Sequence, residues 1–432
     1  MKAVLIKGAR IINPSQKLDV IGSILIAEGK IAWLGTGNQK PPANGYHILE
    51  SQDLIACPGF IDLHCHLRDP GLEEKETIAT GTRAAARGGF TTVCCMPNTE
   101  PPIDNRSIVD YVKEKAAAEG AVRVLPIGCI TRGRKGEALA DMGEMASAGV
   151  VAFSDDGSPV MNSRLMRQAL DYSLAFGLPV IEHCEDQVLA ENGQMNEGII
   201  STRLGLQGIP SAAEESMVAR DIALAELTGA RLHVAHISTA GSVELVRAGK
   251  KKGVHVTCEV TPHHLTLTEE KVLGYDTNAK VNPPLRTQKD IEALIVGLKD
   301  GTIDAIATDH APHTGLEKRC EFAYAPFGIS ILETAFGMLM GLVHAGKVDL
   351  NLLISKMTCE PAKILGDRFG KLGTLEVGGP ADIILIDPDK EWTVDPSTFA
   401  SKGKNTPLGG AKLKGKVVAT FYQGNIVFQE KE

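Results

Sequence analysis

Hydrophobic and polar positions change their spacing twice along the chain. Near the N-terminus, short apolar runs flank the turn Glu28-Gly29, which is a hairpin pattern. The C-terminal stretch has the same texture, with a second turn at Gln423-Gly424-Asn425 between apolar runs. These patterns predict two β-rich ends, at 1–57 and 368–432.

Between the two ends, short apolar segments alternate with longer amphipathic ones. The predicted strands lie at 60–64, 90–94, 122–127, 150–153, 179–183, 232–236, 255–259 and 304–309. The clearest helical patterns lie at 77–87, 107–119, 163–175, 212–228, 242–252 and 289–298. Eight buried strands separated by helices predict an α/β fold of the TIM type, a (β/α)8 barrel. A doubly wound open sheet is the alternative.

The two β-rich ends are each too small to bury a core alone. We therefore expect them to pack together as one small discontinuous domain, a β-sandwich, beside a catalytic barrel at 58–367. The interval 348–367 is predicted to be a helical return to that domain.

Composition and charge narrow the class of protein. The 432 residues are 43% hydrophobic and 23% charged, with a net charge of −8. This balance gives no reason to expect nucleic acid or a membrane as a partner. No signal-peptide pattern or 18-residue apolar run is present, and the nine cysteines are an odd number. We expect a cytoplasmic protein with reduced core thiols rather than a disulfide framework.

Potential metal ligands stand at the carboxyl ends of five of the predicted strands. They are His64 and His66, Asp155 and Asp156, His183, His236, and Asp309. In a barrel these strand ends meet at one mouth, and residues two apart on a strand face the same side. Each residue alone has an ordinary explanation as a hydrogen-bonded histidine or a turn aspartate. Their coincidence favours a metal site with imidazole and carboxylate ligands.

The remaining histidines are expected outside that ligand set. His47 and His344 are interpreted as surface or packing residues, His233 as pointing away from the mouth, and His255 as lying at the wrong end of its strand. For His263, His264 and His310, hydrogen bonding around the ligands is favoured over ligation.

Five sequence blocks resemble the signature of the dihydroorotases in the amidohydrolase superfamily, and the resemblance spans nearly the whole chain. The blocks are Pro58–Gly71, Cys95–Thr99, Phe153–Gly157, Val281–Arg286 and Ala307–His313. Many relatives bridge two metals with a carbamylated lysine. No lysine stands on the fourth predicted strand, so the chain is similar to the type I subgroup, which uses aspartate.

The resemblance implies one or two zinc ions. His64, His66 and Asp309 would hold the first ion, while His183 and His236 would hold the second. Asp156 would bridge the two; the residues alone leave Asp155 open for that role, and the family pattern points to Asp156.

The resemblance also implies an activity, the reversible cyclisation of N-carbamoyl-L-aspartate to (S)-dihydroorotate plus water in de novo pyrimidine biosynthesis. Asp309 would act as general base and then as general acid. The residues expected to bind the substrate are His66, Arg68, Asn98, Asn282, His313, Phe327 and Gly328. A rim salt bridge with Asp69 or Glu73 is the alternative for Arg68. The segment 314–326 is predicted to be a mobile lid.

Three other functions stay open. A hydantoinase or allantoinase would share the barrel and the metal histidines. A non-catalytic structural partner of aspartate carbamoyltransferase is less favoured, since every expected ligand is present, although a complex with that enzyme is open. The third is a zinc-independent binding barrel. Besides the small-molecule substrate, we expect a homo-oligomer.

Overall fold

The computed structural model describes residues 3–37, 39–42 and 45–430. The strands are β1 Val4–Asn13, β2 Leu18–Ala27, β3 Lys30–Thr36, β4 His47–Glu50, β5 Ile55–Pro58, β6 Phe60–Cys65, β7 Phe90–Cys95, β8 Arg123–Pro126, β9 Val180–Glu182, β10 Met195–Asn196, β11 Gly208–Ile209, β12 Leu232–Val234, β13 Val256–Val260, β14 Ala305–Ile306, β15 Ile383–Thr393, β16 Lys412–Tyr422 and β17 Asn425–Gln429. The α-helices are α1 Ile78–Gly88, α2 Arg106–Glu119, α3 Met142–Ala148, α4 Ser163–Ser173, α5 Ile199–Leu204, α6 Ser211–Thr228, α7 Ala240–Lys251, α8 Pro262–Thr266, α9 Gln288–Asp300, α10 Gly315–Lys318, α11 Ala335–His344, α12 Leu350–Met357 and α13 Cys359–Leu365.

The central strands close into a parallel ring. One sheet has the order β6-β7-β8 and another the order β14-β13-β12-β9. Parallel bridges from Phe153 to Gly128 and Val180 join them on one side, and a bridge from Cys65 to His310 joins them on the other. This closed ring confirms the predicted (β/α)8 barrel.

The fourth predicted strand, 150–153, is reduced to the bridges at Phe153. Its backbone still pairs with both neighbours, because Val151 N–H donates to Pro126 O and Phe153 N–H donates to Pro179 O. The return bonds come from residues two positions beyond those prolines, because Gly128 N–H donates to Ala152 O and Ile181 N–H donates to Phe153 O. The fourth strand is therefore short but paired on both sides.

The helices begin where the sequence places capping side chains. The Thr77 side chain accepts from Thr80 N–H ahead of α1, and Asn105 accepts from Ser107 and Ile108 N–H ahead of α2. Each such cap satisfies backbone donors that the first helical turn leaves free. Helix α1 ends at Gly89, whose φ of 90° lets the chain turn directly into β7.

The interior of the ring is filled by apolar side chains drawn from nearly every strand. Ile61, Leu63, Ile181 and Ala305 belong to this cluster, and Ile364 of α13 packs against them. Because the lumen is packed in this way, the polar residues that follow the strands are gathered at one mouth.

The two β-rich ends join in one eight-stranded sheet of order β17-β16-β15-β5-β1-β2-β3, with β4 paired to β1. The link is β5, which pairs parallel with β1 and antiparallel with β15. The predicted union of the two ends is therefore confirmed, and backbone hydrogen bonds make it. The 348–367 interval is helical as predicted, forming α12 and α13.

The nine cysteines form no disulfide, and all except the exposed Cys320 are buried. Burial, with a smaller contribution from the charge of Asp69, raises the pKa of Cys95 to about 12, which keeps that thiol protonated and unreactive. Across the described ranges, the model contains no helix with the length and apolar character that a membrane crossing requires.

Candidate metal centre

The barrel mouth brings the predicted ligands together from separate strands. His64 lies within β6, and His66 directly follows that strand. His183 follows β9, His236 follows β12 by two residues, and Asp309 follows β14. His236 and Asp309 have positive φ angles of 30° and 47°, which non-glycine residues rarely adopt. Such strained backbone persists where surrounding structure holds it in place, commonly at functional sites.

Asp156 lies at the centre of these histidines. Its Oδ1 is 3.3 Å from His64 Nε2, 3.5 Å from His236 Nε2 and 3.9 Å from His183 Nδ1. Its Oδ2 is 3.6 Å from His66 Nε2. One carboxylate thus faces four imidazoles, which is the arrangement needed to bridge two cations.

The neighbouring Asp155 faces elsewhere. Its Oδ1 accepts hydrogen bonds from the backbone N–H groups of Ile130 and Thr131, at 2.8 and 3.1 Å. Burial raises its pKa to about 6 against these hydrogen bonds. Geometry therefore favours Asp156 over Asp155 for the bridging role that the sequence left open.

The first histidine pair, His64 and His66, is held from behind. His64 Nδ1 is 2.9 Å from Glu259 Oε1, and His66 Nδ1 is 2.8 Å from Asn98 Oδ1. Because these oxygens only accept, each Nδ1 carries the proton and donates. In the neutral form of each ring the lone pair is then on Nε2, the nitrogen that faces Asp156 and Asp309.

The second histidine pair, His183 and His236, has weaker support. His183 Nε2 lies 3.7 Å from Glu185 Oε2, beyond hydrogen-bond distance. His236 Nδ1 has no hydrogen-bond partner among the described residues. The two rings approach each other at 3.0 Å, between His183 Nδ1 and His236 Nε2.

The donor set fits a metal ion. His64 Nε2 and Asp156 Oδ1 are buried and have no hydrogen-bond partner among the described residues. Ligand atoms of His64, His66 and Asp156 lie within 4.8 Å of one another, as do those of Asp156, His183 and His236. Burial opposes protonation of His64, yet the carboxylates of Asp156, Glu259 and Asp309 raise its pKa well above the usual value. The cluster therefore attracts positive charge, and two groups of residues could hold a metal.

Asp309 completes the first group. Its Oδ1 is 3.0 Å from His66 Nε2 and 3.6 Å from His64 Nε2. Burial by itself raises the pKa of Asp309, but the contact with His66 and the charges of the histidines hold it below its ordinary value. Asp309 is thus an ionised carboxylate beside the ligands, able to accept a proton.

A cleft of about 280 Å³ opens over this cluster. It is lined by every residue that the sequence predicts to bind substrate, namely His66, Arg68, Asn98, Asn282, His313, Phe327 and Gly328. Asn98 has two contacts of interest: its Oδ1 accepts a hydrogen bond from His66, and its side chain also lines the cleft.

Arg68 does not form the rim salt bridge considered from the sequence. Asp69 instead pairs with Lys115 at 3.2 Å, and Glu73 accepts from Gly71 N–H. Arg68 is buried, and its Nε has no hydrogen-bond partner in the described part of the chain. Burial lowers its pKa to about 10, so the guanidinium stays charged at neutral pH and available to an anion.

The segment 314–326, predicted to be a lid, is tied down by two buried lysines. Lys318 Nζ donates to Pro326 O at 2.7 Å, and Lys280 Nζ donates to Phe322 O at 2.7 Å. Burial, with the neighbouring Lys280, lowers the pKa of Lys318 to about 7. Motion of the segment stays a prediction.

The other histidines mostly lie where the sequence suggests. His47, His255 and His344 are exposed. His264 hydrogen-bonds Thr261 and Pro283, and His310 Nδ1 accepts from Ile331 N–H.

Sequence reasoning missed three residues that surround the ligands: Glu259, Glu185 and Arg134. Arg134 donates to Asp156 O and to Ser158 Oγ, and so holds the loop that carries Asp156. A glutamate inside the apolar strand β13 was a usable signal, because a buried charge requires a partner. Arg134 lies in a loop and has no comparable signal.

Comparison with known proteins gives consistent results. The profile of one family, described as dihydro-orotase-like, matches residues 54–242. The chain is 55% identical over 427 residues to the dihydroorotase of Citrifermentans bemidjiense, with 99% of each chain covered. It is 54% identical over 429 residues to the dihydroorotase of Pelotomaculum thermopropionicum, again with 99% of each chain covered.

Among solved structures, the whole chain matches a hydantoinase and a dihydropyrimidinase. The L-hydantoinase (dihydropyrimidinase) of Arthrobacter aurescens superposes with a TM-score of 0.89 at 25% identity, covering 100% of this chain and 97% of that one. The dihydropyrimidinase of Brevibacillus agri NCHU1002 superposes with a TM-score of 0.85 at 24% identity, and the match covers 100% of this chain and 96% of that one.

Proposed function

Since the chain belongs to the dihydroorotase family, we propose that it catalyses the reversible interconversion of N-carbamoyl-L-aspartate and (S)-dihydroorotate plus water, in pyrimidine biosynthesis. The observation that carries this proposal is the layout of the cleft. An ionised carboxylate, Asp309, and a buried guanidinium, Arg68, line the same cleft above the histidine cluster. The substrate needs both, a proton acceptor at its ring amide and a cation for its carboxylate.

Zinc suits the donors, which are imidazole nitrogens and carboxylate oxygens. One zinc ion would be held by His64, His66 and Asp309. A second would be held by His183 and His236, and Asp156 would bind both ions. Bound zinc would lower the pKa of its water from 15.7 to about 7 and polarise the amide carbonyl.

The proton transfers fall to Asp309. In the hydrolytic direction its carboxylate takes a proton from the attacking water and delivers it to the ring nitrogen as the carbon–nitrogen bond breaks. In the cyclising direction the same carboxylate takes the proton from the ureido nitrogen. Its lowered pKa keeps it in the accepting form at the start of hydrolysis.

The substrate carboxylate is proposed to bind opposite the metal cluster. Arg68 can bind it with two parallel hydrogen bonds. Asn98 can add its amide N–H, because its oxygen is engaged by His66. His313 lines the same cleft and would bind the carboxylate together with Arg68 and Asn98. Asn282 and the backbone at Phe327 and Gly328 would contact the ring.

The proposal is tested by assaying the zinc-loaded protein on dihydroorotate, hydantoin and allantoin under the same conditions. We expect hydrolysis of dihydroorotate and cyclisation of carbamoyl aspartate, with little turnover of the other two. Preference for hydantoin would replace the substrate assignment with that of a hydantoinase. Protein that neither retains zinc nor cyclises carbamoyl aspartate in zinc-supplemented buffer would rule out the enzyme.

We further propose association with copies of the chain, and retain a complex with aspartate carbamoyltransferase as a prediction. Light scattering of the protein alone, and then mixed with that enzyme, measures both. A single monomer mass in each case contradicts both.

A further inference from the structure

Strand β13 carries a glutamate that the reaction as proposed does not use. Glu259 is fully buried, with 0% exposure, between apolar neighbours on a barrel strand. A carboxylate in that setting is costly unless positive or hydrogen-donating groups surround it. Its partners therefore indicate what it does.

Both carboxylate oxygens of Glu259 face histidines. Oε1 makes a hydrogen bond of 2.9 Å with His64 Nδ1, whereas Oε2 lies 3.1 Å from His233 Nε2 in a close contact without hydrogen-bond geometry. His233 is itself fixed from behind, since its Nδ1 is 2.8 Å from Thr257 Oγ1. All of these side chains are buried or nearly so, which leaves Glu259 little freedom to turn away.

The contact with His64 selects one form of that ring. A carboxylate only accepts hydrogen bonds, so the neutral form of His64 that binds a metal carries its proton on Nδ1 and has the lone pair on Nε2. The same contact fixes the ring plane, and with it the direction of the Nε2 lone pair toward Asp156 and Asp309. A negative charge behind the ring also makes Nε2 more basic, and therefore a stronger ligand for a metal ion.

We propose that Glu259 is a positioning residue for the metal centre, held by His233, which orients His64 and strengthens its hold on the first metal ion. This inference rests on the proposed metal centre. His233, which the sequence places away from the mouth, thus acts on the centre indirectly through Glu259.

The test measures zinc affinity rather than turnover. Wild type, Glu259→Gln and His233→Gln are titrated with zinc in competition with a chromophoric chelator, and the cobalt-substituted proteins are compared by visible absorption. Glu333→Gln is the matched control. The Glu333 side chain is also largely buried, 6% exposed, and lies 2.9 Å from Arg87. Within the described part of the chain, no ion pair joins it to a histidine.

We expect Glu259→Gln to weaken the tighter zinc site on the order of 10–100-fold and to alter the cobalt spectrum. His233→Gln should shift the same site in the same direction by less, and Glu333→Gln should match wild type. An affinity for Glu259→Gln within about threefold of wild type overturns the proposal, as does an equal loss in the control.

If Glu259→Gln does not fold, His233→Gln decides the matter, and an affinity equal to wild type then overturns the proposal. If the wild-type protein binds no zinc in the first titration, the proposed metal centre itself is wrong. That outcome differs from failure of the present inference, in which wild type binds zinc and Glu259→Gln binds it equally well.

Discussion

The two histidine pairs look alike in the sequence and differ in the structure. Both consist of histidines at the ends of barrel strands, and both face Asp156. The first pair has a carboxylate or amide oxygen within 2.9 Å of each Nδ1. The second pair has one partner at 3.7 Å, on a glutamate whose side chain is 16% exposed, and one ring nitrogen without a partner among the described residues.

This difference teaches that ligand identity and ligand preorganisation are separate properties of a site. A ring that is already oriented loses less freedom on binding, and a charged partner raises its basicity. We therefore expect the first pair to bind its metal ion more tightly than the second.

The largest effect is expected from Asp309→Asn. It removes the proton acceptor of the first group while leaving the second pair untouched, so kcat should fall by about 10²–10⁴-fold. Zinc content of the second pair, measured by metal analysis beside steady-state kinetics, should stay as in wild type. A variant with near-normal kcat would show that another group moves the proton.

Asp156→Asn should erase the contrast, because both pairs share this carboxylate. Removing one partner of a buried charged cluster costs about 3–5 kcal/mol, equivalent to roughly 10²–10³-fold in affinity. Calorimetric zinc titration should show both sites weakened. Asp155→Asn is the control, and a comparable loss there would mean that Asp155 is the bridge.

His236→Gln should separate the pairs. Wild type is expected to release zinc to a chelator in two steps that differ by about tenfold or more in affinity. The variant should keep the tighter step and lose the weaker one, whereas His64→Gln should lose the tighter one. The exposed His255→Gln serves as control. A single step of unchanged affinity in both site variants contradicts the ranking.

Glu185→Gln should give the smallest change. Its contact with His183 is long and partly exposed to solvent, and such pairs contribute about 0–1 kcal/mol. Zinc affinity of the weaker site should therefore fall by no more than about fivefold in the same competition assay. A loss as large as that expected for Glu259→Gln would show that both pairs are equally supported.

The barrel, and the clustering of the candidate ligands at one mouth, could be predicted from the sequence because both follow from a periodic pattern. Alternating strands and helices predict the ring, and polar residues at successive strand ends predict a common mouth. The fourth strand is shorter than predicted, since only the bridges at Phe153 remain of it, and that detail depends on which residues become neighbours in the closed ring.

The contacts that support the histidines could not be predicted from the sequence, for a different reason. Glu259 meets His64 only after the ring closes through Cys65 and His310, on the opposite side from the Phe153 bridges. Contacts between distant strands depend on that closure, which local spacing does not encode. The inequality of the two pairs is consequently a property of the folded ring.

The sheet built from both ends also has a consequence for how the molecule is made. Strand β5 pairs with β1 on one side and with β15 on the other, so the two neighbours of β5 come from opposite ends of the chain. On the ribosome, residues 4–58 are synthesised early. The free edge of β5 is covered only after β15 has been synthesised. The barrel can assemble in the interval, while that edge stays open to chaperones or to neighbouring nascent chains.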